Sequence, residues 1–173
     1  MFRGGGAIAA VALCLVLLAM LAAAGPAGTA GPGGAVRVVD DGDDIVLTDK
    51  RRIRLAQIDS PEVDPAQCYG REARAALLAL TPVGSTIVLE VDRRLDRGDV
   101  YSRQLRYVHR GAVNVSLELV RRGAAAPYFY RGAHGRYAAQ LLSAAQQALA
   151  ANRGLWGACP GAVLDPTRPL KLG

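Results

Sequence analysis

Five short β-rich segments, with one helical segment between the third and the fourth, are the feature of this sequence that most constrains its fold. Tight-turn sequences such as Asp41-Gly42 separate the first strands. The helical segment, residues 69–80, carries Ala73, Leu77 and Leu80 at helical spacing. The five predicted strands are residues 35–40, 45–48, 52–58, 86–91 and 104–109. This order predicts a mainly β structure that begins with a three-stranded meander.

Two further helices are predicted in the C-terminal half, at residues 114–122 and 133–152. Asn114 is a good N-cap for the first of them, and Gly123 follows its last turn. Five strands and three helices in this order match an OB-fold barrel, which binds oligonucleotides or oligosaccharides in many proteins. Because one fold serves many functions, the function must be argued from site residues.

The first 24 residues have the composition of a signal peptide. Arg3 supplies a positive charge, residues 7–24 carry no charged side chain, and residues 22–24 offer small side chains for cleavage. This apolar run is at the lower limit for spanning a bilayer, so an uncleaved N-terminal anchor is the alternative. The sequence therefore predicts an exported protein, either secreted or held in the cell envelope.

Three segments follow the leader. Residues 25–34 are rich in Gly, Pro and Ala, which indicates a flexible linker. Residues 35–160 form the predicted domain, which is long enough to bury a hydrophobic core. Residues 161–173 contain two prolines and are predicted to be a loose tail.

The chain has a formal net charge of +6, and nearly all of its cations are arginine. A basic domain favours a polyanionic partner such as nucleic acid. A biased genomic base composition would give the same excess of arginine, so charge alone does not identify the partner.

Cys68 and Cys159 are the two cysteines outside the leader. An even pair in an exported protein predicts a disulfide. The bond would tie the start of the first helix to the C-terminal part of the domain. Two unpaired buried cysteines are the alternative.

Residues 40–44, Asp-Asp-Gly-Asp-Asp, place four carboxylates in five positions. An acidic hairpin tip is the simpler interpretation. A metal site becomes the better one if the adjacent strands bring Asp43 close to Asp59, because hard cations such as Ca²⁺ take carboxylate oxygens. Glu62 would then act as general base on a water near the metal.

Arg54 and Arg103 are the two candidate phosphate-binding cations. A guanidinium group binds phosphate through two donors and stabilises negative charge that develops at phosphorus. Tyr101, Tyr128 and Tyr130 are candidates for base stacking or for hydrogen bonds to phosphate, although a structural role for them is equally compatible.

Several other chemistries lack the residues they need. His109 and His134 are the only histidines, and neither lies in a metal-binding motif. Zinc-protease, deaminase and two-histidine ribonuclease sites are therefore excluded. The sequence also has no G-x-x-x-x-G-K-[ST] phosphate loop and no G-x-S-x-G nucleophile elbow.

A set of motifs in this order and spacing resembles the staphylococcal nuclease (thermonuclease) family over residues 36–160. The motifs are Asp41-Gly-Asp43, Arg54-Leu, Asp59-Ser-Pro-Glu62, Tyr69-Gly-Arg-Glu-Ala73, Asp99-Val-Tyr-Ser-Arg103, the stretch from Asn114 to Gly123, and Leu155-Trp156. One such motif is a weak signal, but the ordered set is specific.

The resemblance implies a Ca²⁺-dependent phosphodiesterase on an OB fold that acts on DNA and RNA and leaves 3′-phosphate and 5′-hydroxyl ends. It also implies roles by position. These are metal ligands at Asp43, Asp59 and the Ser60 carbonyl, a general base at Glu62, transition-state-stabilising arginines at Arg54 and Arg103, and substrate-pocket tyrosines at Tyr101 and Tyr128.

Three positions depart from the family pattern. Asp44 stands where Thr is usual and adds negative charge near the metal. Ser60 replaces Thr, which is a mild change if only its carbonyl binds. Ser102 replaces the Gly before Arg103, and a positive φ there would strain the loop and displace Arg103.

The leading hypothesis is an exported, monomeric nuclease that needs no obligate protein partner and meets a membrane only during export or through an uncleaved anchor. A non-catalytic OB-fold nucleic-acid-binding module is the alternative, since the family includes domains that have lost the site. The joint presence of Arg54, Asp43, Asp59, Glu62 and Arg103 favours the enzyme. A membrane-anchored interaction domain is a third class, and it would lack hydrolysis.

Overall fold

A computed structural model describes residues 30–172 of the chain, with side chains from residue 32 onward. The predicted leader and the first part of the predicted linker lie outside these residues. The strands are β1 (Ala30–Val39), β2 (Asp44–Leu47), β3 (Arg52–Leu55), β4 (Ile58–Asp59), β5 (Thr86–Glu90), β6 (Gln104–Arg110), β7 (Val113–Asn114) and β8 (Ala126–Pro127). The helices are α1 (Gly70–Leu80), α2 (Val115–Arg121), α3 (Ala138–Ala150) and α4 (Leu155–Ala158), with a short 3₁₀ turn at Tyr130–Gly132.

Five of the strands close a barrel. Their order is β3-β2-β1-β5-β6, and β6 pairs again with β3. The neighbours are antiparallel except for β3 and β6, which run parallel, so the barrel is mixed. These strands correspond to the five predicted ones, and the OB-type barrel with helices is confirmed. β4 pairs separately with β8 at the edge of the barrel.

β1 begins inside the segment that was predicted to be a flexible linker. Its first residues pair with β5, and Gly34 lies opposite Ile87. A Cβ atom on Gly33 would lie only 2.1 Å from the Ile87 carbonyl oxygen. The glycines that suggested flexibility therefore permit two strands to approach closely.

The barrel interior and the apolar faces of the helices form one hydrophobic core. The three longer helices contribute to this core, for example through Leu77 in α1, Leu119 in α2 and Leu141 in α3, all fully buried. Barrel residues in this core include Val36, Ile45, Leu47, Ile53, Leu55, Ile87 and Leu89. The core fixes the barrel end from which the acidic and basic side chains project.

The bounds of two helices match the prediction closely, whereas α3 starts later. The Asn114 side chain caps α2 by accepting a hydrogen bond from the Leu117 N–H at 3.1 Å. Before α3, the Gly135 N–H donates to Gln57 Oε1 at 2.8 Å, and the Arg136 N–H donates to Asp92 Oδ2 at 2.5 Å. Gln57 Nε2 also donates to the Ala133 carbonyl at 2.6 Å, so Gln57 and Asp92 together hold residues 133–136 in a non-helical approach and the helix begins at Ala138.

The segment after Pro160 is packed, which differs from the loose tail that the sequence predicts. Leu172 is 5% exposed and lies in an apolar cluster with Trp156, which is 7% exposed. The Phe129 N–H donates to the Pro166 carbonyl at 2.7 Å. The prolines rule out regular structure here, but an irregular segment still packs where its leucines meet an apolar surface.

Cys68 and Cys159 form the predicted disulfide, with their Cα atoms 5.8 Å apart across a sequence separation of 91. The bond ties the chain just before α1 to the end of α4. Within residues 30–172, no helix combines the length and the apolar character needed to cross a membrane.

Candidate active site

The turn between β1 and β2 packs against the chain that follows β4. A Cβ atom on Gly42 would lie 2.7 Å from the Ser60 Cβ and 2.8 Å from the Ala73 Cβ, so only glycine fits at this point. The Ser60 N–H donates to Asp43 Oδ2 at 2.7 Å. The Asp-Gly-Asp turn is therefore held directly against the residues that include Asp59, as the sequence predicts.

Arg54 joins the two predicted metal carboxylates. Its Nη1 lies 2.5 Å from Asp43 Oδ2, and its Nη2 lies 2.5 Å from Asp59 Oδ1. The same Nη1 donates to the Ile58 carbonyl at 3.1 Å. Because the Arg54 side chain is only 12% exposed, one largely buried guanidinium bridges two largely buried carboxylates.

The pKa values in this cluster reflect burial and an excess of negative charge. Burial raises the pKa of Asp43 and of Asp59, and the nearby Arg54 only partly offsets this effect. A hydrogen bond with the Asp41 carboxyl, together with partial burial and the charges of Asp41, Asp43 and Asp59, raises the pKa of Glu62 to about 8. One guanidinium therefore does not neutralise the cluster, and a further cation would stabilise it.

The donor set fits a hard divalent cation. Among residues 30–172, no three His, Cys, Asp or Glu side chains converge as a ready-made metal cluster. The predicted ligand set does not require one, because it combines the carboxylates of Asp43 and Asp59 with the Ser60 carbonyl. The Ser60 hydroxyl nearby is buried and lacks a hydrogen-bond partner. Oxygen donors with excess negative charge suit Ca²⁺ better than a soft metal.

Arg103 is held by two carboxylates at the entrance to β6. Its Nε donates to Asp99 Oδ2 at 2.7 Å, and its Nη1 donates to Asp44 Oδ2 at 2.9 Å. Asp99 Oδ1 also accepts the N–H groups of Tyr101 at 2.9 Å and of Arg103 at 3.0 Å. Asp99 thus organises the loop and orients the guanidinium at the same time.

Ser102 has a φ of 61°, in the left-handed region that favours glycine. The positive φ that would strain this loop is therefore present at Ser102. In this loop conformation Asp99 and Asp44 hold the Arg103 side chain.

The three candidate tyrosines differ in their exposure and in the residues beside them. Tyr128 is half-buried, and its pKa is raised by burial and then by the charge of Asp59, which places it beside the carboxylates. The Tyr130 ring centroid is 6.3 Å from that of Tyr128. Tyr101 is 69% exposed, and its ring centroid is 5.4 Å from the Arg103 guanidinium carbon.

The structure adds partners that the sequence reasoning did not assign. Asp41 raises the pKa of Glu62, and Asp44 and Asp99 hold Arg103. The four acids within residues 40–44 were a sequence signal for Asp41 and Asp44. The Leu170 N–H donates to Asp59 Oδ2 at 2.8 Å, and no sequence signal pointed to this contact.

A closed five-stranded barrel with two guanidinium groups and a carboxylate cluster at one end belongs to the class of OB-type proteins equipped to bind phosphate groups. A family model described as staphylococcal nuclease homologue matches residues 52–158. The match covers well over half of the chain, and the chain belongs to this family of nucleases and nucleic-acid-binding domains. No curated protein matches the chain significantly.

The family match begins at β3, so the β1–β2 turn with Asp43 lies before it. The structure nevertheless brings that turn to the matched residues, since Asp43 bonds to Arg54 and to the Ser60 N–H.

Proposed function

We propose that this protein is a Ca²⁺-dependent nuclease that hydrolyses phosphodiester bonds in DNA and RNA. The observation that carries the proposal is the meeting of Arg54, Asp43, Asp59 and Glu62 at one end of the barrel, with Arg103 anchored to Asp44 in the same ladder. A domain that only binds nucleic acid has no need for a carboxylate cluster that repels phosphate.

Asp43, Asp59 and the Ser60 carbonyl would hold the Ca²⁺. When bound, the ion would screen the phosphate charge and favour a well-placed attacking water. Arg54 bridges the same two carboxylates, and a cation would compete with it for them. We therefore expect its guanidinium to turn partly towards the substrate phosphate when the cation binds.

The side chains then divide the hydrolysis between them. Arg54 and Arg103 bind the phosphate oxygens and stabilise the charge that develops there. Glu62, as carboxylate, takes a proton from the water while the new oxygen–phosphorus bond forms. The bond from phosphorus to the 5′ oxygen breaks, and that oxygen takes up a proton from solvent. The products carry a 3′-phosphate and a 5′-hydroxyl.

Glu62 must be ionised for this role, although Asp41 and the neighbouring carboxylates raise its pKa to about 8. A divalent cation beside Asp43 and Asp59 would lower that pKa, because it offsets the negative charges that raise it. Metal binding would thus activate the base. The tyrosines Tyr101 and Tyr128 would border the nucleotide on either side.

Cleavage of plasmid DNA and of RNA, with Ca²⁺ and with chelator, tests this proposal. We expect Ca²⁺-dependent cleavage by the domain, and at least a hundredfold loss of rate in Glu62→Gln and in Arg103→Ala. Glu118→Gln and Arg121→Ala are matched controls, because these residues pair on α2, where Glu118 is half-buried and Arg121 exposed, and neither contacts the candidate site residues. Both controls should keep full activity.

A folded, disulfide-intact protein that cleaves neither substrate with any divalent metal would refute the enzyme. If it still bound single-stranded oligonucleotides, the non-catalytic OB-fold binder would be the correct function. Equal losses in the control variants would show that the effect is not specific to the site.

We also propose that the protein is exported after cleavage near residue 24, and that it acts as a monomer. The pairing of Cys68 with Cys159 supports an oxidising compartment, since such bonds are rare in the cytosol. N-terminal sequencing of the protein from the culture medium should begin between residues 23 and 30. Thiol titration of this form under denaturant should find no free thiol, and two free thiols would contradict the export.

A further inference from the structure

The C-terminal segment, residues 161–172, packs beside Asp59 at one edge of the candidate active site. It follows directly after the disulfide at Cys159, and it touches both short strands of the β4–β8 pair. The Leu170 N–H donates to Asp59 Oδ2 on β4. The Pro166 carbonyl accepts the Phe129 N–H just after β8. We propose that this segment is a working part of the site, in which the Leu170 N–H positions the Asp59 carboxylate for the metal.

Hydrogen bonds within residues 165–168 give the segment a defined conformation. Asp165 Oδ1 accepts the Thr167 N–H at 3.0 Å and the Thr167 hydroxyl at 2.6 Å, and Asp165 Oδ2 accepts from Arg168 Nε at 2.7 Å. Pro166 and Pro169 restrict the backbone on either side of this turn. The Leu170 donor is therefore presented by a stiff turn.

Leu172 anchors the far end of the segment. It is buried in the cluster that includes Ala126, the residue directly opposite Asp59 in the β4–β8 pair. Leu164 packs against the same cluster and against the main core at the near end. The buried Leu172 and the partly buried Leu164 thus hold the segment against the strand pair that carries Asp59, with the donor between them.

The geometry indicates that the Leu170 N–H orients the Asp59 carboxylate and does not block it from a cation. Asp59 uses Oδ1 for Arg54 and Oδ2 for the Leu170 N–H. A carboxylate offers about four lone-pair directions, so each oxygen keeps one for a cation. Without Leu170, Arg54 alone would hold the group, and the carboxylate would be free to rotate with the guanidinium. Hydrogen-bond partners of metal-binding carboxylates typically contribute 10- to 100-fold in metal affinity.

The test uses Leu170→Pro, which removes the N–H donor and keeps the chain length. Leu170→Ala is the matched control, because it keeps the N–H and loses only a half-buried side chain. Calorimetric titration of the disulfide-intact protein with Ca²⁺ alone gives Kd without any turnover. We expect Leu170→Pro to raise the Kd for Ca²⁺ at least tenfold, and Leu170→Ala to change it less than threefold, with the same thermal midpoint Tm in both.

A chain that ends at Arg168 serves as the second variant, because it removes the donor and the Leu172 anchor together. It should lose at least as much Ca²⁺ affinity as Leu170→Pro. Wild-type affinity in either donor-free variant overturns the proposal, since Asp59 would then need no help from the segment.

The inference rests on the proposed function for the identity of the metal, and the experiment separates the two. If the wild-type protein binds Ca²⁺ and cleaves nucleic acid while the donor-free variants bind Ca²⁺ equally well, only the role of the segment is refuted. If the wild-type protein neither binds Ca²⁺ nor cleaves, the nuclease proposal and this inference are refuted together.

Discussion

Asp44 Oδ2 accepts a hydrogen bond from Arg103 Nη1 at 2.9 Å, and so ties the first residue of β2 to the entrance of β6. The other oxygen of Asp44 is buried without a hydrogen-bond partner. Arg52 Nη2 approaches the same Oδ2 at 3.4 Å. The departure from the family pattern at this position therefore acts mainly on Arg103, and a substrate phosphate has to compete with Asp44 for that guanidinium.

Asp44→Thr, which restores the usual family residue, should strengthen substrate binding. Release of the Nη1 donor should lower KM by roughly fivefold or more, because the phosphate then no longer competes with a carboxylate that is only 6% exposed. Steady-state kinetics on an oligonucleotide at fixed salt measures this change. Asp44→Asn is the control that removes the charge and keeps the shape, and it should give the same shift. A higher KM in both variants would mean that Asp44 orients Arg103 for the substrate and does not compete with it.

Ser102→Gly should stabilise the loop that carries Arg103. A left-handed conformation costs a non-glycine residue roughly 1 kcal/mol, which glycine avoids. The backbone φ of 61° is the relevant observation. We expect Tm to rise by about 2–4 °C in a thermal melt. Ser102→Ala keeps the unfavourable backbone and loses only the hydroxyl, so it should not raise Tm. An equal gain in both variants would assign the effect to the hydroxyl.

The stability of the metal-free protein should decrease as pH rises. The ordinary pKa of Glu62 is 4.5, and the folded cluster raises it to about 8. Between these values the folded state keeps a proton that the unfolded state releases, so stability present at the acid end is lost as pH approaches 8. Urea unfolding in chelator at several pH values measures this trend.

Two controls test whether Glu62 causes this pH dependence. Glu62→Gln should flatten the pH dependence relative to wild type, because the variant has no carboxyl at this position. Added Ca²⁺ should also flatten it, since the cation lowers the pKa values of the cluster. An unchanged slope in Glu62→Gln would assign the trend to other groups.

Loss of the disulfide should destabilise the domain strongly. Closing a loop of 91 residues contributes about 4 to 5 kcal/mol in the chain-entropy model. Cys68→Ala/Cys159→Ala should therefore unfold at a much lower urea concentration than wild type. The reduced wild-type protein should match the double variant. If reduction left the unfolding midpoint unchanged, the bond would not stabilise the fold.

Residue patterns predicted most of the fold because its signals are local. The apolar spacing that includes Leu77 requires only neighbouring turns of a helix, and the Asn114 cap requires only three following residues. The start of α3 was predicted too early for the opposite reason. Its boundary is decided by Gln57 and Asp92, which are distant in sequence and take the donors of residues 135–136.

In the candidate site, too, some features could be predicted from the sequence and others only from the structure. Residue identity and order pointed to Asp43, Arg54, Asp59, Glu62 and Arg103, because their combination matches the ordered motifs of the nuclease family. Their pairing followed only from the tertiary structure. Sequence order does not reveal that Arg103 binds Asp44, since the two lie 59 positions apart.

The sequence by itself determined the barrel, the helices, the paired cysteines and the residues able to bind phosphate and cation, because each follows from side-chain chemistry and short-range spacing. Only the tertiary structure decided that Arg54 bridges two carboxylates and that Leu170 reaches Asp59. The second contact is made by a backbone N–H, a group that every residue except proline carries. Its partner is therefore chosen by the packing of the chain and not by the residue type.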